Sequence, residues 1–273
     1  MQASSVWTPP GGTLGGIIAE AKARVEALRT RTAELERHVA NAPQAPGFSA
    51  ALTGSHVGVI AEVKRRSPSK GWINAEISAP DQACAYERGG AAAISVLTEP
   101  AHFGGSVDDL LAVRSHVAVP ILKKDFHVDP VQLLEAKAIG ASAALLIARA
   151  LSPGDLPQLV AFARSISLEV LVEIRDAEEL RRALDAGAAV IGINNRNLET
   201  LVIDPATSER LLAEIPRDVV AIAESGVSGR ADVERYARAG ADAVLVGSVI
   251  SAAADPSAMV HTLASVERIG RGA

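Results

Sequence analysis

LEVLVEIRDAEELRRALDAGAAVIGIN, residues 168–194, is the stretch that decides the fold. It opens with an aliphatic run, Leu168–Glu173, crosses an amphipathic segment, and returns through the step Gly187-Ala188 to a second run, Ala189–Asn194. Parallel neighbours cannot be joined by a tight turn, so run, helix, run reads as two parallel strands and their crossover helix. The runs are almost continuously apolar rather than alternating, as strands covered on both faces are.

Working outward, the same unit recurs along the chain. Further runs are Val57–Val63, Ala91–Leu97, Val119–Lys123, Ala143–Ala148, Val219–Glu224 and Ala243–Gly247, which brings the total to eight. Gly90-Ala91, Gly140-Ala141, Gly187-Ala188 and Gly240-Ala241 precede the second, fourth, sixth and eighth runs. They form a repeat of about 50 residues holding two strand–helix units, each glycine placed to end a helix in the left-handed conformation. Evenly spaced units with no G-x-G-x-x-G after the first strand predict a closed α/β fold, a (βα)8 TIM barrel, rather than an open doubly wound sheet. The 273 residues suit one such barrel, and 48% hydrophobic with only 3% aromatic residues implies an aliphatic core.

Before the barrel, Ile18, Ala21, Val25, Leu28, Leu35 and Val39 recur at helical steps and predict one amphipathic helix over 13–40. Thr13 is its expected N-cap, and Pro43 and Pro46 close it. The expected organisation is an N-terminal helical extension, 1–46, packed on a catalytic region, 47–273.

Several function classes are excluded. The net charge is −5 and no basic run is present, so nucleic acid is not an expected partner. The six histidines are scattered without metal-ligand spacing, and no metal or cofactor is expected. Cys84 is the only cysteine, so no intrachain disulfide forms. The opening MQASSVWTPPGG lacks the form of a secretory signal, and the apolar runs fall short of the ~20 residues of a membrane span. A cytoplasmic, monomeric protein is expected.

Barrel chemistry sits at the C-terminal strand ends. The first run ends Glu62-Val63-Lys64, the third Lys123-Lys124-Asp125-Phe126, the fifth in Glu173, the sixth Asn194-Asn195-Arg196, the seventh Glu224-Ser225-Gly226 and the eighth Gly247-Ser248. Glu62 and Lys64 point the same way, into the mouth. Carboxylates and lysines converging there imply mutual pairing and shifted proton affinities. Small residues after the seventh and eighth runs are where backbone N–H groups receive a phosphate.

Together the segments IAEVKRRSPSKG (60–71), ISVLTEPAHFGGS (94–106), PILKKDFHVDPVQ (120–132), LVEIRDAEEL (171–180), GINNRNLETL (192–201), AESGV (223–227) and VGS (246–248) resemble the indole-3-glycerol-phosphate synthase family, in family order over roughly 55–250. The resemblance implies ring closure, decarboxylation and dehydration of 1-(2-carboxyphenylamino)-1-deoxyribulose 5-phosphate, a small phosphorylated substrate of tryptophan biosynthesis, without cofactor. It implies Lys124 as the general acid, its proton affinity lowered by burial and neighbours, and Glu173 as partner in dehydration, with roles shared with Lys64. Glu62 would order the lysines, and Asn194 with Arg196 would orient the substrate. Ser67, Ser225, Gly226, Gly247 and Ser248 would contact phosphate and ribulose. Phe103, Phe126, Ile121 and Leu145 would wall the anthranilate ring. His127 and Trp72 depart from the family's usual residues in ways that touch loop packing. Phosphoribosylanthranilate isomerase, a thiazole synthase and a non-catalytic barrel are the rival readings. No fused isomerase or amidotransferase domain is expected in this length.

Overall fold

The computed structural model describes residues 7–69, 71–73, 75 and 77–271. Eight strands form the barrel: β1 (Gly58–Val63), β2 (Ala93–Leu97), β3 (Ile121–Lys124), β4 (Ala143–Ile147), β5 (Glu169–Ile174), β6 (Val190–Asn194), β7 (Val220–Glu224) and β8 (Ala243–Val246). Each pairs in parallel with the next, and β1 pairs with β8 as well as β2, so the sheet closes without an edge. Helices fill the crossovers. The four glycines of the repeat all take positive φ, at 90, 85, 75 and 100° for Gly90, Gly140, Gly187 and Gly240. The predicted closed barrel is the observed fold.

Strand parity divides the core in two. Inward-pointing Ile60, Leu122, Leu145, Leu171, Ile222 and Leu245 fill the barrel, while Val59, Ile94, Ile121, Val172, Ile191 and Val244 pack outward under the helices. Each such burial contributes about 1.5–3 kcal/mol. Continuing inward parity to the C-terminal level meets charged and polar groups in place of hydrocarbon: Glu62, Lys124, Glu173, Asn194 and Glu224.

Both ends of the barrel are covered. Phe48 and Leu52, around the short helix Phe48–Ala51, join the inner core. The N–H groups of Phe48 and Ser49 donate to the Glu169 carboxylate at the start of β5, at 2.6 and 3.0 Å, which plugs the N-terminal end. At the other end, helix α1 (Gly12–Arg29) lays Leu14, Ile17, Ile18 and Ala21 on the same core. Arg24–Asp125 at 2.6 Å and Arg29–Asp129 at 2.7 Å fasten it.

The single helix expected over 13–40 is two. After α1 the chain breaks at Thr30-Arg31, where the Thr30 hydroxyl bonds the Ala27 carbonyl, and α2 runs Thr32–Asn41. The break turns Leu35 toward Val131 and Leu134 on the helix Pro130–Ala138. Thr13 lies within α1, whose N-cap is Gly11. Among the described residues no helix is long and apolar enough to cross a membrane.

Lys123 points outward, 1% exposed, paired with Glu135 at 2.6 Å. Glu135→Ala removes the ion-pair partner of a buried cation and should destabilise the barrel by about 3–5 kcal/mol, whereas Lys123→Met with Glu135→Leu should recover most of it. Urea denaturation checks this; equal losses in both proteins would contradict it.

Candidate active site

A cavity of ≈ 280 Å³ opens at the C-terminal strand ends beneath α1. Its floor is a cluster of ionised groups. The ammonium of Lys124 lies 2.9 Å from Glu224 and 3.6 Å from Glu173. Lys64 pairs with Glu62. The amide of Asn194 donates to Glu173 at 3.0 Å, and its oxygen accepts from the N–H of Arg196 at 2.9 Å. Glu62, Glu173, Glu224 and Asn194 are all buried.

Burial alone would lower the proton affinity of Lys124, but the fields of Glu224, Glu173 and Glu62 override it and hold the ammonium well above the usual lysine range. The expected lowering is therefore reversed. Glu224, the carboxylate that closes β7, lies nearest this lysine and supplies the largest of these fields. Glu224 carries the opposite consequence: burial, with Glu173 and Glu62 nearby, pushes its carboxyl up to about 7 despite Lys124. Its Oε1 has no hydrogen-bond partner.

Two glycines make room for this crowding. A Cβ on Gly192 of β6 would lie 2.0 Å from Glu224 Oε1, and one on Gly247 would lie 2.5 Å from Glu62 Oε1. Gly247 therefore serves the carboxylate floor as well as the loop after β8.

The remaining expected contacts divide into a small-residue end and an apolar wall. Ser67, Ser225, Gly226, Gly247 and Ser248 all line the cavity. Ser225 and Gly226 take left-handed φ of 65 and 86°, which turns the loop sharply after β7. For serine this conformation is strained. Asn195, fully buried, holds it by donating to the Ser225 carbonyl at 3.0 Å and to the Tyr236 hydroxyl at 2.9 Å. Ser248 begins a short helix, Ser248–Ser251, capped by Gly247. On the wall, Phe103 and Phe126 stand with centroids 6.2 Å apart, and Leu145 lines the cavity with them. Leu14 and Ile17 of α1 complete it.

Ile121 does not. It precedes Lys124 by three positions, so strand parity sends it outward, into the core that contains Leu133 and Ala136 of the covering helix. Glu224, beside Lys124, and Asn195, behind the Ser225 loop, are absent from the expected set of site residues. For Glu224 the signal was present, a carboxylate closing a strand at inward parity.

The two unusual loop residues fare differently. His127 is 2% exposed, bonds the Leu145 carbonyl through Nδ1 at 2.7 Å, and burial keeps it neutral, its affinity lowered to about 3. Trp72 is exposed, on a small hairpin of Arg66–Ser67 and Gly71–Trp72, with the Arg66 guanidinium 5.7 Å from its ring. The fold also brings Glu20, Glu99 and His102 together with metal-like spacing. The Glu99 carboxylate, however, already accepts from the N–H groups of Ala101, His102 and Phe103, as a helix cap does.

A family profile described as indole-3-glycerol phosphate synthase matches residues 14–263. A relative named indole-3-glycerol phosphate synthase from Streptomyces griseus subsp. griseus is 50% identical over 93% of this chain and 95% of its own. One of the same name from Kineococcus radiotolerans is 55% identical over 76% of each chain. Among solved structures, thiamine phosphate pyrophosphorylase from Pyrococcus furiosus superposes with a TM-score of 0.58 over 80% of this chain and 96% of that one. At 16% identity it shares the fold alone. With a matching profile over nearly its whole length and relatives at half identity, the chain belongs to the indole-3-glycerol phosphate synthase family.

Proposed function

We propose that this barrel converts 1-(2-carboxyphenylamino)-1-deoxyribulose 5-phosphate to indole-3-glycerol phosphate, carbon dioxide and water. The observation that carries the reading is the ammonium of Lys124, held by Glu224 and Glu173 at the floor of a cavity with an apolar wall and a small-residue end. The phosphate goes to the N–H groups around Ser225, Gly226, Gly247 and Ser248, with Ser67 alongside. The aryl ring goes to Phe103, Phe126 and Leu145, and the ketone then faces Lys124.

Ring closure forms the bond from the ring carbon bearing the carboxylate to the ketone carbon, and Lys124 protonates the ketone oxygen. Holding the lysine cationic keeps it loaded with the proton it gives. Neutralising Glu224, whose affinity stands at about 7, weakens the hold and lets that proton go. The carboxylate then leaves as carbon dioxide and restores the aromatic ring. In dehydration the hydroxyl leaves with a proton, and Glu173, steadied by Asn194, takes the proton from the neighbouring ring carbon. Lys64, paired with Glu62, stands as the second cation in the mouth. We read 1–46 as an extension serving this catalytic region at 47–273, and the protein as cytoplasmic and monomeric, with a small phosphorylated molecule rather than nucleic acid as its partner.

Mixing purified protein with the substrate tests the reading: indole fluorescence should rise, with carbon dioxide released in equal amount, and an unchanged substrate would refute it. Lys124→Met keeps most of the methylene stem and should lower kcat on the order of 10² to 10⁴, the usual worth of a general acid. Near-normal turnover would remove Lys124 from that role. Ser225→Asp sets a charge against the phosphate and should raise KM far more than it lowers kcat in steady-state assays. An unchanged KM would move the phosphate elsewhere.

A further inference from the structure

Beside the main cavity lies a second, polar one of ≈ 120 Å³, room for several waters. The two share Leu14, Ile147, Glu173, Asn194, Arg196 and Leu198 as a common wall. Glu173 therefore faces the Lys124 side and, across that wall, the second chamber. The chamber's far side carries Glu179, on the helix Ala177–Asp185, with exposed Asp176 and half-exposed Arg149 and Glu199 toward solvent.

Atom balance gives such a chamber a task. The substrate's ring carboxylate leaves as carbon dioxide and its ketone oxygen as water. With the carboxylate ionised, the sum takes up one proton per turnover. Two protons go to the oxygen, one in ring closure and one as it departs, and one returns from ring carbon to Glu173. Glu173 passes the returned proton to Lys124, 3.6 Å away, and the missing one must enter from solvent. α1 lines the main cavity with Leu14 and Ile17, and the substrate would occupy that cavity during this sequence.

We propose that the side chamber is the proton entry of this enzyme and that Glu179 is its relay, handing protons through chamber water to the Glu173 carboxylate and so to Lys124. The inference rests on the reaction proposed above. Glu179 is 6% exposed, and its carboxylate accepts a hydrogen bond from the Arg175 N–H at 2.7 Å. The charged groups that face it are Asp176 and Arg182 on its own helix and Glu173 on β5, with Arg149, Arg175, Arg196 and Glu199 sharing the chamber. Burial foremost, then Asp176 and Glu173, raise its carboxyl to about 7, where it both accepts and gives protons near neutrality. A carboxyl serving only to cap the helix start gains nothing from that position.

Glu179→Gln keeps an oxygen to accept from the Arg175 N–H and removes the titratable group. The relay predicts that the single-turnover rate stays within about two-fold of wild type, because Lys124 and Lys64 already hold the protons for one pass. Steady-state kcat should fall about ten-fold or more above pH 7, with KM little changed, and imidazole at constant ionic strength should restore it. Glu179→Asp, which keeps a shorter carboxyl, should recover multiple turnover, and it carries the test if the Gln variant fails to fold. An active wild type whose Glu179→Gln and Glu179→Asp variants match it in pH profile and buffer dependence overturns the relay alone. Equal loss in single and multiple turnover also overturns it, as that marks a packing effect. A wild type that forms no indole overturns reaction and relay together.

Discussion

Three carboxylates and two ammonium groups share one buried mouth: Glu62, Glu173 and Glu224 against Lys64 and Lys124. Unpaired charge at that depth is costly, so the cluster must pair internally, and its sum still leaves one negative charge in excess. The excess appears where the geometry puts it. Lys124, touched from two sides, is held cationic, and Glu224 takes the burden as a carboxyl that titrates near neutrality. Because Lys124 and Glu224 lie 2.9 Å apart, the proton state of each depends on that of the other. That tension sets a group held protonated, Lys124, beside one that titrates near neutrality, Glu224, in one cavity.

The barrel exists around this cluster in a literal sense. Inward strand positions are hydrocarbon for most of their depth and change to charge only at the C-terminal level, which sets the ions above an incompressible floor. Gly192 and Gly247 leave the volumes that the Glu224 and Glu62 carboxylates occupy. From above, α1 lays Leu14 and Ile17 against the cavity and is fastened by Arg24 to Asp125, the residue next to Lys124. The apolar roof and the strand end that carries Lys124 are thereby fixed to one another, and the low-dielectric setting that strengthens the cluster is maintained.

Much of this was legible in the sequence, because the repeat of aliphatic runs and Gly-Ala steps has only one economical closure. The strand ends then pointed to the mouth directly. What escaped was governed by register and by neighbours. Lys123 and Lys124 look alike in the sequence, and only the placement of β3 tells which lines the cavity and which pairs with Glu135. The same parity removes Ile121 from the wall. The break at Thr30-Arg31 interrupts a periodicity that reads as continuous, since it is the docking of Leu35 on a distant helix that requires the turn. The direction in which Lys124 is shifted depends on Glu224, brought beside it from 100 residues away in the chain. Composition and spacing carry no such distance.

The central claim is that the carboxylates of this mouth hold Lys124 as an ammonium. Nitrogen-15 labelling of lysine, with Lys124 assigned by its substitution, allows its Nζ to be titrated by NMR in the substrate-free protein. The account predicts that Lys124 remains protonated through and beyond the ordinary lysine value of about 10.4, and that Glu224→Gln brings its titration down. A Lys124 that loses its proton below about 9, or one indifferent to Glu224→Gln, would contradict it.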